Sequence, residues 1–189
     1  MEQLPEKFTK NVRHLDDLPE KAKIGYKIAV AFRGSDPEDI TGPIVSPEDN
    51  FKYFEEKLRR QGVRLTGFLR NKKVKVLEVG SGNAMFLNFV KQKGIDIVGV
   101  DARPRGMTGE QVQARIEQLP FADEAFDVVY SQSVFDSEFY KQYPELMMKE
   151  IYRVLKHGGF YVCSGFKEPP LVDGFNLVSS GFDGVYKKL

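Results

Sequence analysis

The sequence of 189 residues has a single cysteine, Cys163, so no disulfide can close within it. Nowhere does it carry an apolar run near the about 20 residues that a helix needs to cross a bilayer. It also lacks a stretch with the charged start, apolar middle and small-residue cleavage site of a secretory leader. These absences lead to the expectation of a cytoplasmic protein without membrane insertion. An excess of one charge is missing as well: 28 basic and 27 acidic side chains leave a formal net charge of +1. That balance excludes the overall basicity with which a protein neutralises many nucleic-acid phosphates, and leaves room only for local patches. No internal repeat or low-complexity tract interrupts the chain. What is present, 41% hydrophobic and 29% charged residues, is the mixture of a folded globular chain with one substantial core.

Texture divides the sequence near residue 73. Residues 1–73 are polar, carry prolines at 5, 19, 37, 43 and 47, and show helical periodicity, so an N-terminal helical cap is expected there. One helix is predicted from Glu20 to Phe32. A second begins at Ser46-Pro47-Glu48-Asp49, where serine caps, proline suits the first turn and two carboxylates face the positive end of the helix dipole. Phe51, Phe54, Leu58, Leu65, Phe68 and Leu69 follow at spacings of one buried face. The basic run Lys57, Arg59, Arg60, Arg64, Arg70, Lys72, Lys73 and Lys75 reads either as a nucleic-acid patch or as a solvated helix face diluted by Glu55 and Glu56. Tyr26, Tyr53 and Phe54 read either as a lid over a small ligand or as core.

From residue 74 to 189 short apolar runs alternate with helical patterns, which predicts an α/β fold: a Rossmann-like, doubly wound, mostly parallel sheet. Strands are expected at Val74–Val79, Ile95–Val100, Gln111–Ala114, Phe126–Tyr130 and Phe160–Cys163. Helices are expected at Ala84–Lys93 and on the face Met147, Ile151, Val154 and Leu155, the latter ending near Gly158-Gly159. Phe175–Ser179 and Val185–Leu189 would close the sheet as an antiparallel hairpin.

In such a sheet ligands bind at the carboxyl ends of the strands. There the turn Glu78-Val79-Gly80-Ser81-Gly82 follows the first strand, and its glycines permit a tight bend and close approach to the main chain. Alone, this equally describes a structural strand-to-helix connection. Asp101, closing the second strand 21 residues after Gly80, is where a carboxylate can accept both hydroxyls of a ribose. A dinucleotide fingerprint needs a third glycine three positions after Gly82, and Met85 stands there instead. Glu78 before the turn and small residues through Ala84 are an arrangement that resembles motif I of the class I methyltransferases.

The resemblance extends over residues 74–189. Ile97-Val98-Gly99-Val100-Asp101 looks like that family's second strand, the stretch from Leu119-Pro120-Phe121 to Val129 is very similar to its approach to strand four, and the stretch from Glu150 to Gly159 is similar to its late helix and turn. Membership of the small-molecule, methyltransferase-11-like type implies S-adenosylmethionine as cofactor and S-adenosylhomocysteine as product. It implies that Gly80, Ser81 and Gly82 hold the methionine portion with Glu78 organising its amino-acid end, that Asp101 holds the ribose, that Ala102 and Ile116 lie by the adenine, and that Ser131 lies under the methionyl chain. Gln132 and Ser133 would face the transfer region.

Two departures stand out. Ala114-Arg115-Ile116 replaces the usual Gly-Asp-Ala, and arginine cannot accept the adenine amino hydrogen bond; Glu117 is a substitute acceptor. The stretch Ala102–Glu110 is short for a parallel crossover, which takes a dozen or more residues, so the usual helix is expected to be shortened or absent and Arg103-Pro104-Arg105-Gly106 to form a loop. No Asn-Pro-Pro-Tyr or Asp-Pro-Pro-Tyr run follows strand four, which counts against amino-methylation of adenine or glutamine. No catalytic base is assigned: Asp136, His14 and Tyr140 qualify by type only, and no metal site is expected. Cys163 reads as a packed thiol. The acceptor is expected to be a small molecule; RNA or protein methylation and a non-catalytic methyltransferase-like binding subunit are the alternatives.

Overall fold

The computed structural model describes residues 46–63, 65, 74–102, 104, 110–134, 144–164, 173–179 and 183–189. The predicted helix at 20–32, with Tyr26 and His14, lies outside them, as do Arg64, Phe68, Leu69, Arg70, Asp136 and Tyr140. The chain from Val45 to Leu189 forms one compact unit.

Helix α1 spans Pro47–Arg60. Ser46 caps it by accepting the Asp49 amide at 3.1 Å, with Pro47, Glu48 and Asp49 in the first turn and Lys57, Arg59 and Arg60 in the last. Its inward face is Asn50, Phe51, Phe54 and Leu58. Arg60 pairs with Glu56 along the outer face and Lys57 lies over the Tyr53 ring, 5.1 Å from its centroid, which is the arrangement of a solvated helix face.

Seven strands follow: β1 Lys75–Val79, β2 Asp96–Asp101, β3 Gln111–Gln113, β4 Phe126–Gln132, β5 Leu155–Ser164, β6 Phe175–Ser179 and β7 Asp183–Lys188. Between them lie helices α2, Met85–Gln92, and α3, Pro144–Val154, and a 3₁₀ turn at Ile116–Gln118. The sheet order is β3-β2-β1-β4-β5-β7-β6. The first five strands pair in parallel, and β7 runs antiparallel between β5 and β6. The sheet is the expected α/β arrangement with its antiparallel closure.

Central parallel strands are covered on both faces and therefore read as continuous apolar runs. Val76, Tyr130 and Val162 pack with α1 and α2 on one face; Leu77, Val79, Val129 and Tyr161 pack with α3 on the other. Phe54 is fully buried, with ring centroids 4.7 Å from Tyr130 and 5.9 Å from Phe86. It belongs to the core, at about 1.5–3 kcal/mol for a side chain of that size, and α1 is a layer of the folded unit.

Two elements differ from expectation. Leu155 does not continue α3 but opens β5, where it pairs with Phe126. Gly158 and Gly159 lie within the strand rather than ending a helix. At Gly159 a Cβ would stand 2.8 Å from the Lys156 carbonyl and 2.9 Å from that of Asp127, and Gly158 takes φ +73, so two backbones approach where the ladder shifts register. Strand β4 also runs on through Ser131 and Gln132, which pair with Cys163 and Ser164.

Candidate functional site

Strand β1 has β2 on one side and β4 on the other, so the chain reverses its winding there and a crevice opens beyond the carboxyl ends. The turn after Val79 folds back onto β2: the Gly80 and Ser81 amides both donate to the Val100 carbonyl, at 2.8 and 3.0 Å. The Gly82 amide donates to Asp101 Oδ2 at 2.8 Å. From β3, Gln111 Nε2 donates to Ser81 Oγ at 2.9 Å and to the Gly82 carbonyl at 2.8 Å. Three strand ends thus hold one short turn.

Steric demands explain the glycines. Gly80 has φ +75, and a Cβ on it would lie 2.5 Å from Val134 Cγ2. A Cβ on Gly99, in the middle of β2, would lie 2.8 Å from both Ser81 Cβ and Ser81 Oγ. Ser81 is buried over that gap. Ala84 begins α2 in the left-handed region at φ 60, and Met85 follows it exposed to solvent.

Glu78 lies next to the turn and is only 6% exposed. The Leu87 amide hydrogen-bonds its carboxylate, while its Oε2 is buried with no hydrogen-bond partner. Burial, and secondarily the nearby Asp101 carboxylate, push the Glu78 carboxyl up to about 8. A buried carboxylate with an unused acceptor is costly unless a donor or cation is supplied.

The remaining expected positions are distributed around this turn. Ala102 is exposed just past β2, its carbonyl accepting from Gln113 Nε2 at 3.1 Å. Ile116 is 5% exposed and packs in the core cluster with Val100. Arg115 forms an ion pair with Glu117, whose carboxylate is thereby engaged. Ser131 is buried, and its hydroxyl is 2.7 Å from that of Tyr161. Gln132 is tied to Asn50 of α1 by two hydrogen bonds, at 2.6 and 3.0 Å. Ser133 takes φ 53 and donates its amide to the Ser164 carbonyl. Cys163 is buried with Sγ 3.5 Å from the Gly184 carbonyl, a packed thiol. Among the described residues no group of three or more His, Cys, Asp or Glu stands together as metal ligands would, and no helix is long and apolar enough to cross a membrane.

Sequence reading gave no role at the turn to Gln111, Gly99, Val134 or Asn50. A signal existed for two of them. A glycine inside an apolar strand marks a close approach, and Asn50 falls on the four-residue spacing of Phe54 and Leu58, where a polar residue must find a partner.

Away from the crevice, the Leu119 to Asp123 stretch and the Glu150 to Arg153 stretch interlock. Arg153 donates to the carbonyls of Leu119 and Phe121 at 2.9 and 2.7 Å, to Asp123 at 2.8 Å and to Glu150. Glu150 accepts the Leu119 amide at 2.8 Å. These two motifs therefore serve the fold.

Residues 77–163 match a family described as a methyltransferase domain. Over 99 residues the chain is 35% identical to an uncharacterized methyltransferase of Mycobacterium leprae, covering 47% of this chain and 36% of that protein. Over 109 residues it is 28% identical to a ubiquinone biosynthesis O-methyltransferase of Cereibacter sphaeroides, covering 51% of this chain and 43% of that one. The chain thus spans less than half the length of these relatives. Among solved structures, a Methanococcus maripaludis protein proposed as an S-adenosyl-L-methionine-dependent methyltransferase shares the fold, with a TM-score of 0.50 and 17% identity over 85% of this chain and 68% of that one. Residues 77–163 thus match a methyltransferase domain family, and the sheet order is consistent with the fold of that solved structure.

Proposed function

We propose that the chain is an S-adenosylmethionine-dependent methyltransferase whose acceptor is a small molecule. The observation that carries this reading is the buried, unpartnered Oε2 of Glu78 beside the Gly80-Ser81-Gly82 turn. Asp101 at the turn, joined by Glu78 when a bound cation displaces its proton, favours a ligand with positive charge there and opposes the pyrophosphate of a dinucleotide. The residues present therefore fit the cofactor of the family.

In this reading Glu78 receives the ammonium of the methionine portion and the main chain of Gly80, Ser81 and Gly82 lines it. Asp101 accepts the ribose hydroxyls, Ala102 and Ile116 flank the adenine, and Ser131 lies under the methionyl chain. Arg115 and Glu117 pair with each other, so the adenine is recognised at this edge by main chain and packing. When bound, the cofactor supplies a methyl group activated on a sulfonium. The chain's own residues align the partners and exclude water, which is most of what an in-line displacement asks of a protein. The small-molecule acceptor is supported by the relative named for ubiquinone biosynthesis and by a formal net charge of only +1. A cytoplasmic location belongs to the same reading.

Incubation of the chain with methyl-labelled cofactor and fractionated cell extract tests it. Label is expected in the small-molecule fraction. Label confined to RNA or protein would move the acceptor class, and cofactor binding without transfer to any fraction would leave a binding subunit.

A further inference from the structure

Helix α1 lies outside the stretch that matches the family, yet it reaches the end of β4. Asn50, 5% exposed at the N-terminal end of the buried face of α1, exchanges two hydrogen bonds with Gln132, the last residue of β4. Each amide gives one N–H and one oxygen to the other, a pairing that fixes both side chains in a single orientation. Ser133 follows at φ 53, a left-handed conformation uncommon for a residue with a side chain, and its amide is held by the Ser164 carbonyl. Next comes Val134, whose Cγ2 occupies the space a Cβ on Gly80 would need. A continuous mechanical path therefore leads from α1, through Asn50, Gln132 and the strained Ser133, to the turn between β1 and α2.

We infer that Asn50 is a positioning residue: through Gln132 it holds Val134 against Gly80 and so sets the shape of the turn that receives the methionine arm of the cofactor. The inference rests on the cofactor reading above. It assigns a task in the cofactor site to a helix that belongs to the N-terminal part of the chain. Phe51, Phe54 and Leu58 supply the packing of α1; Asn50 contributes little apolar area, and its burial among them is accounted for by the amide pair.

The test compares two ligands on the full chain. S-adenosylhomocysteine carries the amino-acid arm; 5′-methylthioadenosine keeps the adenosine and lacks that arm. Asn50→Ala, Gln132→Ala and the double variant are titrated with each ligand well below the unfolding temperature. Each single variant is expected to lose about tenfold in affinity for S-adenosylhomocysteine, the order of one hydrogen bond's worth, and to keep its affinity for methylthioadenosine. The double variant is expected to lose no more than either single one, because the two amides act as a unit. Should Asn50→Ala not fold, Asn50→Asp keeps the shape while withdrawing the N–H donated to Gln132, and the same comparison applies. Equal weakening of both ligands, no weakening of either, or additive losses in the double variant would overturn the inference while leaving the cofactor reading intact. A wild-type chain that binds neither ligand would instead defeat the cofactor reading.

Discussion

Glu78 shows how a single residue can be stabilising for a ligand and destabilising for the fold. In the unfolded chain its carboxyl ionises at the ordinary value near 4.5, whereas in the folded protein burial and Asp101 hold it protonated up to about 8. Between those values the native state binds a proton that the unfolded state has released, so stability falls as pH rises through the window. The slope from this one group is roughly 1.4 kcal/mol per pH unit. Glu78→Gln is expected to remove that slope and raise the unfolding midpoint at pH 8, as read by denaturant titrations at pH 5 and pH 8. The same substitution is expected to weaken S-adenosylmethionine binding by tenfold or so, since a neutral amide does not attract an ammonium. A variant that is less stable at pH 8, or that binds the cofactor unchanged, would contradict the role given to Glu78. Asp101 differs because it already accepts the Gly82 amide. Asp101→Ala is expected both to loosen the turn and to lower cofactor affinity by about 2–3 kcal/mol, the usual value of hydrogen bonds to a charged acceptor, and isothermal titration measures it directly.

Among the elements, the β1–α2 turn depends on sterics that can be tested separately from chemistry. Gly80→Ala is expected to cost about 2 kcal/mol, from the left-handed φ and from the overlap with Val134. Shortening the neighbour in Gly80→Ala with Val134→Ala is expected to restore the overlap part and leave the φ part; no recovery in thermal unfolding would place the strain elsewhere. Arg153 anchors a different pair of elements, joining α3 to the stretch that leads into β4. Its guanidinium, chiefly through hydrogen bonding, holds the Glu150 carboxyl below the ordinary carboxylate value. The stability this pair gives is therefore complete at neutral pH and is lost as pH falls below that value. Arg153→Ala is expected to lower stability at pH 7 by about 2–3 kcal/mol while cofactor affinity stays unchanged. Most of these elements were legible in advance because amphipathic period and apolar runs are local properties. The limits of β4 and β5 were not. Ser131 and Gln132 are polar and join the sheet only because Cys163 and Ser164 pair with them, and Leu155 has a helical spacing that the pairing with Phe126 overrides. The Asn50–Gln132 bond joins residues 82 positions apart, and no local pattern encodes such a partner.

For the whole molecule, the order β3-β2-β1-β4-β5-β7-β6 makes the site possible. It brings Glu78, the glycine turn and Asp101 to the ends of the adjacent strands β1 and β2, beside the point between β1 and β4 where the winding reverses, and it distinguishes the sheet from the dinucleotide-binding order 3-2-1-4-5-6 by the antiparallel strand inserted before β6. The parallel pairing of β2 and β3 is made although only residues 102–110 connect them. The cofactor class proposed above rests on Glu78, Met85 and Asp101, three positions in or beside one turn. The acceptor could not be read in the same way, because it depends on parts of the surface that share no fixed spacing with that turn. The measurement that bears most directly on the whole account is calorimetric titration of the intact chain with S-adenosylmethionine and, separately, with NAD. Saturable one-to-one binding of S-adenosylmethionine, abolished or strongly weakened in Asp101→Ala, with no heat from NAD, is the expected result. Binding of NAD in preference, or no binding of S-adenosylmethionine by the folded chain, would contradict it.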